Sequence, residues 1–269
     1  MPIIDAHVHT LPFFGLIAPF EDTGTVKRLL HNMDTYGVDK TVMLPVIYDF
    51  SPGNNQECAQ WAKEHPDRLV ALTDIAMDQS DAAERVLRAR EEFGSVGTSY
   101  YPTMPDLNWM LEEPCAPLWE AYKSTGLVCN LQLAPPNYGV LLELVKRYPE
   151  ITFVSNHLGL PGSLDPDDET YGGLMEGAAY PNLFIKATAF YAAAATPWDF
   201  RCPQALGFFT RLVKGFGADR ILWGTDWPPV ERFITYRQAL EIVRTCVTDI
   251  SEADRAKILG ENAARVFGI

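Results

Sequence analysis

Ile3-Ile4-Asp5-Ala6-His7-Val8-His9-Thr10-Leu11-Pro12 stands near the start of the chain and decides its architecture. Ile3 and Ile4 lead into an alternation in which Asp5, His7 and His9 are separated by Ala6 and Val8. On a β-strand, residues two apart point to one face. A strand over 3–9 is therefore expected to put Asp5, His7 and His9 together, with both imidazoles at its C-terminal end. Buried imidazoles need hydrogen-bond partners or a metal, and two side by side make half of a divalent-metal site. The adjoining His9-Thr10-Leu11-Pro12 is not the Gly-rich turn that closes the first strand of a doubly wound, dinucleotide-binding sheet.

Seven more short apolar runs lie at 40–46, 69–76, 95–101, 127–133, 151–158, 183–189 and 220–226. Most lack polar alternation, as strands covered on both faces should. Helical segments alternate with them. One at 25–36 carries Val26, Leu29, Leu30 and Met33 on one face; one at 54–65 reads from an Asn54 cap; one at 80–92 reads from a Ser80 cap. Others are expected at 113–124, 138–148, 203–214 (ending at Gly215), 236–247 and 252–266, whereas the Gly-rich stretch 167–179 reads as irregular. Strands and helices in this alternation indicate an α/β fold, a (β/α)8 TIM barrel, with a doubly wound open sheet as the alternative. No repeat, low-complexity tract or linker divides the chain, so one domain over 1–269 is expected.

Composition excludes several classes of function. A formal net charge of −13 argues against nucleic acid and against an anionic membrane surface as partners. No apolar stretch is long enough to cross a bilayer, and the opening segment is too short and too polar for a signal peptide. The five cysteines, Cys58, Cys115, Cys129, Cys202 and Cys246, contain no Cys-X-X-Cys pair and read as reduced thiols in a cytoplasmic protein. A small-molecule substrate is the expected partner.

In a barrel the active site lies at the C-terminal ends of the strands. Those ends offer His7 and His9 on strand one, Ser99 and Tyr101 on strand four, and Asn130 and Gln132 on strand five. Strand six offers Ser155 and His157, strand seven Lys186 and Thr188, and strand eight Asp226 followed by Trp227. Asp226 interrupts an apolar run where an unpaired carboxylate is costly. The other two histidines have plain structural readings: His31 within a charged helical stretch, His65 at a helix C-terminus. Taken singly, Tyr100, Phe190, Tyr191 and Trp198 read as packing.

Ile4-Asp5-Ala6-His7-Val8-His9, Asn156-His157-Leu158-Gly159, Leu222-Trp223-Gly224-Thr225-Asp226-Trp227-Pro228 and the closing Ile258-Leu259-Gly260-Glu261-Asn262-Ala263-Ala264-Arg265-Val266-Phe267 together resemble the amidohydrolase superfamily. The specific likeness is to its amidohydrolase-related branch, which includes lactonases and enzymes resembling aminocarboxymuconate-semialdehyde decarboxylase. The resemblance implies one divalent metal, usually zinc, on His7, His9 and Asp226, with His157 beside it as acid, base or carbonyl polariser. Many members carry a histidine at the end of strand five. Gln132 stands there instead, and its amide oxygen is a weaker zinc ligand than imidazole, so a set completed by Gln132 should hold metal less tightly. Family habit implies a homo-oligomer.

The leading functional reading is hydrolysis of a lactone or similar cyclic ester by water activated at the His/His/His/Asp site, with Asp226 as base. Tyr101, Lys186, Trp227 and Arg232 are the substrate-binding candidates. The alternatives are non-oxidative decarboxylation of an aromatic or enoic acid, its carboxylate gripped by Lys186, Arg201 or Arg232, and an inactive ligand-binding barrel. The loops at 11–22, 102–111, 159–173 and 191–202 carry no motif that names a substrate.

Overall fold

All eight expected strands form, each shorter than its apolar run. They are Ile4–Val8, Lys40–Met43, Leu69–Ala71 continued by Thr73–Asp74, Gly97–Tyr100, Val128–Leu131, Phe153–Ser155, Leu183–Ala187 and Ile221–Trp223. The structure is a computed structural model and describes residues 2–11, 22–47 and 51–269, so most of the 11–22 loop lies outside the described residues. Every strand pairing is parallel and joins sequence neighbours. The third strand breaks at Leu72; its first half pairs with strand two and its second half with strand four. The ring closes where the Asp226 amide donates to the His7 carbonyl (2.9 Å) and the His9 amide to the Trp227 carbonyl (2.7 Å). The fold is thus the (β/α)8 barrel, not the open sheet.

Strand alternation creates two packed regions. Ile4, Ala6, Val42, Leu44, Val128, Val154 and Leu222 form one cluster inside the ring, joined by Ala263 and Phe267 of the last helix (Asn262–Phe267), which closes the floor. Their neighbours Met43, Cys129, Leu131, Phe153, Ile185 and Trp223 face outward into the larger core beneath the helices. The last helical segment lies so close to the chain start that a Cβ on Gly260 would overlap the Pro2 carbonyl oxygen.

Strand one breaks the expected alternation. Asp5 stands opposite Thr41 and Val8 opposite Met43, so three steps on one strand match two on the other. This bulge shifts the parity of everything after it. Asp5 and Val8 therefore share the outer face, while His7 and His9 turn inward. The expectation that Asp5 would stand with the histidines is corrected: its carboxylate instead accepts from Thr225 N (2.9 Å), Thr225 Oγ1 (2.6 Å) and His7 N (3.2 Å).

The helices depart from expectation mainly at their ends. Asn54 sits inside Asn54–Glu64, not at its cap, because its side chain bonds Val46 N and Thr10 O. Ser80 lies before Ala82–Glu91, whose cap residue is Asp81. Pro203–Phe216 runs past Gly215 to end at Gly217, where φ is +76°. The segment read as irregular contains a helix, Glu169–Met175, capped by Asp168 accepting from Thr170 N. Its glycines are offset by burial of Tyr171 and Leu174, and by Tyr171 Oη donating to Leu158 O (2.8 Å). Among the described residues no helix is long and apolar enough to cross a membrane.

Candidate active site

The bulge and the ring closure bring strands one and eight together at the mouth. His7 Nε2 and His9 Nε2 are 3.2 Å apart, His9 Nε2 and Asp226 Oδ1 3.2 Å, and His7 Nε2 and Asp226 Oδ1 3.5 Å. Three donor atoms at these spacings fit one tetrahedral ion: with metal–ligand bonds of about 2.0–2.1 Å, ligand atoms stand roughly 3.4 Å apart. His157 joins them. Its ring centre is 4.6 Å from that of His7, and a donor atom each from His7, His157 and Asp226 lies within 4.8 Å of the others.

The outer nitrogens of two of these rings, His9 and His157, have protein partners, whereas His7 Nδ1 is buried without one among the described residues. His9 Nδ1 is 2.8 Å from the Leu44 carbonyl, which can only accept. The proton is therefore on Nδ1, and Nε2 presents its lone pair to the mouth. His157 Nδ1 is 2.8 Å from Thr188 Oγ1, which also accepts from the His157 amide at 3.2 Å. Tyr191 Oη donates to Asp226 Oδ2 at 2.5 Å, fixing the carboxylate plane so that Oδ1 faces the histidines. The backbone is strained at both chemistry-bearing turns: φ is +54° at His157 and +61° at Asp226. Left-handed conformations cost non-glycine residues roughly 1–3 kcal/mol and cluster at functional sites.

Burial sets the protonation states. It lowers His7 well below the ordinary histidine range, with Lys186 and His157 adding to the effect. It takes His157 down to about 4, against the pull of Asp226. Both rings are neutral near pH 7, as ligands and hydrogen-bonding groups must be. Burial pushes the Asp226 carboxyl up, but its polar neighbours, among them the Tyr191 hydroxyl that donates to Oδ2, outweigh it and hold the group below the usual carboxylate range. Burial also pushes Asp5 up to about 6.

The remaining candidates are distributed around this centre. Tyr101 is half-buried beside it, with its hydroxyl oxygen buried and its ring 6.3 Å from that of His9. Gln132 lines a cavity at the ends of strands four to six with Pro102, Met104 and Leu160. Lys186 is fully buried below the histidines, with Nζ 5.7 Å from the Phe267 ring centre, and burial lowers its ammonium to about 7. Trp227 is also fully buried. Arg232 is exposed at the rim and stands over Phe233 at 5.8 Å. Arg201 pairs with Asp199 at 3.3 Å. Sequence reasoning passes over Tyr191, whose place in a run of alanines gives no periodic signal. It places Thr188 at a strand end without revealing that this hydroxyl holds His157.

An amidohydrolase family model matches residues 4–269. An L-fucono-1,5-lactonase from Burkholderia ambifaria is 27% identical over 177 residues, covering 62% of this chain; the match spans only 60% of that lactonase's own length. Among solved structures, a probable 2-pyrone-4,6-dicarboxylic acid hydrolase from Acinetobacter baumannii superposes over the whole of both chains with a TM-score of 0.79 at 20% identity. An amidohydrolase from Burkholderia multivorans with bound zinc does so at 0.80 and 16%. A dihydroxybenzoic acid decarboxylase from Polaromonas sp. JS666 with bound manganese covers 99% of this chain and 97% of its own, at 0.70 and 19%.

Proposed function

The chain belongs to the amidohydrolase family, and from that premise we propose that it hydrolyses a small lactone at the His7/His9/His157/Asp226 site. The observation that carries the reading is the mutual spacing of His7 Nε2, His9 Nε2 and Asp226 Oδ1 at 3.2–3.5 Å, with Asp226 oriented from behind by Tyr191. His7, His9 and Asp226 would hold one divalent ion, zinc or manganese being the ions bound in the two structural neighbours. Such an ion supplies Lewis-acid polarisation of the carbonyl and an acidified water.

The chain's own groups divide the proton work. Asp226 is ionised at neutral pH and takes a proton from the attacking water. Thr188 accepts from the His157 amide and gives its hydroxyl proton to Nδ1. That tautomer leaves Nε2–H to donate to the substrate's carbonyl oxygen as negative charge builds there. The water oxygen bonds to the acyl carbon, the ring carbon–oxygen bond breaks, and the proton on Asp226 passes to the departing alkoxide. The product is the open hydroxy acid.

The test is to purify the protein, measure bound metal by mass spectrometry, and follow acid release from a panel of γ- and δ-lactones before and after chelation. About one metal per chain and chelation-sensitive lactone opening are expected. Carbon dioxide release from dihydroxybenzoates with no lactone turnover would replace this reading with the decarboxylase one.

A further inference from the structure

We propose, resting on the lactonase reading above, that the substrate is a lactone whose ring carries a carboxylate, and that the Arg232 guanidinium holds that carboxylate at the mouth. Two observations carry this. The first is which cations near the mouth are already engaged. Arg28 reaches Asp22 at 3.0 Å and Glu231 at 3.1 Å. Arg201 reaches Asp199 at 3.3 Å. Lys186 is fully buried, with Nζ 5.7 Å from the Phe267 ring centre on the floor side of the histidines. Arg232 is exposed, and among the described residues it pairs with no carboxylate. Its Nε meets the Pro229 carbonyl at 3.4 Å, and its guanidinium stands over the Phe233 ring at 5.8 Å. Glu231, its neighbour in sequence, is turned to Arg28. An arginine stays protonated at any pH the fold meets, and its planar fork of donors matches a carboxylate.

An unpaired surface arginine by itself is ordinary; the second observation is where this one is held. Asp226 follows strand eight, and the chain then winds into a short 3₁₀ turn over Pro229–Arg232. Val230 N donates to Asp226 O (3.0 Å), Glu231 N to Pro228 O (2.9 Å) and Phe233 N to Val230 O (3.0 Å), so the turn is tied to the aspartate by its backbone. It sets Phe233 against Tyr191, the two rings stacked 4.9 Å apart at 24°. The guanidinium acts on the Tyr191 hydroxyl, opposing the rise that burial and Asp226 impose on it. That same hydroxyl donates to Asp226 Oδ2. Arg232 therefore stands one side chain away from the base, on its solvent side. A lactone whose carbonyl lies among His7, His9 and Asp226 can extend a substituent past Tyr191 to this cation. A carboxylate there gains a charge-assisted, two-pronged pair. It keeps part of its hydration at the rim, so the desolvation cost of a buried ion pair is largely avoided. A methyl group in the same place gains nothing from the cation. Phe233 already seats the guanidinium, so less side-chain freedom is lost on binding. The chain's net charge of −13 disfavours anions at large, so their affinity must come from a local contact of this kind.

The test compares γ-valerolactone with its analogue bearing a carboxylate in place of the methyl group, alongside a sugar δ-lactone. The carboxylate member should show the higher kcat/KM, by ~10-fold or more, the size of one charge-assisted pair. Arg232→Gln should lower the carboxylate-to-methyl ratio of kcat/KM by about the same factor, chiefly through KM, because the contact is made equally in ground and transition states. Arg232→Lys keeps the charge without the fork and should recover part of the ratio. A methyl analogue opened equally well or better overturns the inference while leaving lactone hydrolysis intact. A ratio unmoved by Arg232→Gln also overturns it, since a residue that merely supports Tyr191 would slow both substrates alike. Opening of the sugar lactone alone overturns this inference and keeps the lactonase reading. Failure to open any of the three removes both.

Discussion

At the floor of the barrel Ile4, Val42, Val128, Val154 and Leu222 meet Phe267 in an apolar plug. At the mouth, one or two turns of side chains above, His7, His9, His157 and Asp226 crowd four polar groups into a buried space. Backbone strain follows the same division. Among the described residues, every non-glycine residue at positive φ (His157, Leu158, Leu160, Ala189, Cys202 and Asp226) lies in a connection that leaves the mouth after strands six, seven or eight. The floor collects burial energy and the mouth consumes some of it, holding carboxylate and imidazoles in positions that folding alone would not choose. The difference predicts that floor substitutions change stability and mouth substitutions change turnover.

Asp226→Asn should give the largest effect. It keeps the shape but removes the base, so kcat on a responsive lactone should fall by ~10³-fold or more, with an unchanged circular dichroism spectrum. Retained turnover would detach the chemistry from the mouth.

Phe267→Ala tests the opposite end. Losing a buried phenylalanine from the floor should cost about 3–5 kcal/mol of stability in urea unfolding. The kcat of the remaining folded protein should stay within about twofold, a ratio too small to register as barrier change. A large fall in kcat with little loss of stability would mean the two ends are coupled.

Lys186 lies between them, and its titration sharpens the boundary. Its folded-state value is depressed to about 7 from 10.5. Between those values the unfolded chain holds the proton and the native one does not, so stability rises with pH from about 7 to about 10, by ~1.4 kcal/mol per unit at most. Lys186→Met should flatten that slope. Urea midpoints at several pH values across that window read it directly; a slope that survives the substitution would assign it to another group.

Tyr191→Phe should have the smallest effect, about a tenfold loss of kcat, or ~1.4 kcal/mol of barrier. It removes the hydrogen bond that orients Asp226 and helps lower its pKa. The acidic limb of the pH–rate profile should therefore move upward, a change that loss of packing alone would not produce.

Much of this is legible from residues alone. The eight apolar runs and the absence of a Gly-rich turn after His9 are enough for the barrel, because doubly covered strands leave a plain signature. His7, His9, His157 and Asp226 are legible because polar groups at apolar strand ends need a reason to be there. Asp5 is misplaced by its spacing because a bulge shifts parity without altering composition. Helix Glu169–Met175 escapes the sequence pattern because Gly172 and Gly173 lower local propensity, whereas Tyr171 and Leu174 gain their stability from residues distant in the chain.

The order of residues by itself determined the strand and helix alternation and which polar side chains stand at the strand ends. Each is a local property, written in side-chain type and spacing. Only the tertiary structure decided that Asp5 turns away, that Tyr191 and Thr188 hold Asp226 and His157, and that Gln132 lines a cavity with Pro102, Met104 and Leu160. Those outcomes depend on where a strand slips by one residue and on which loops meet after the ring closes, and no short window of sequence contains either.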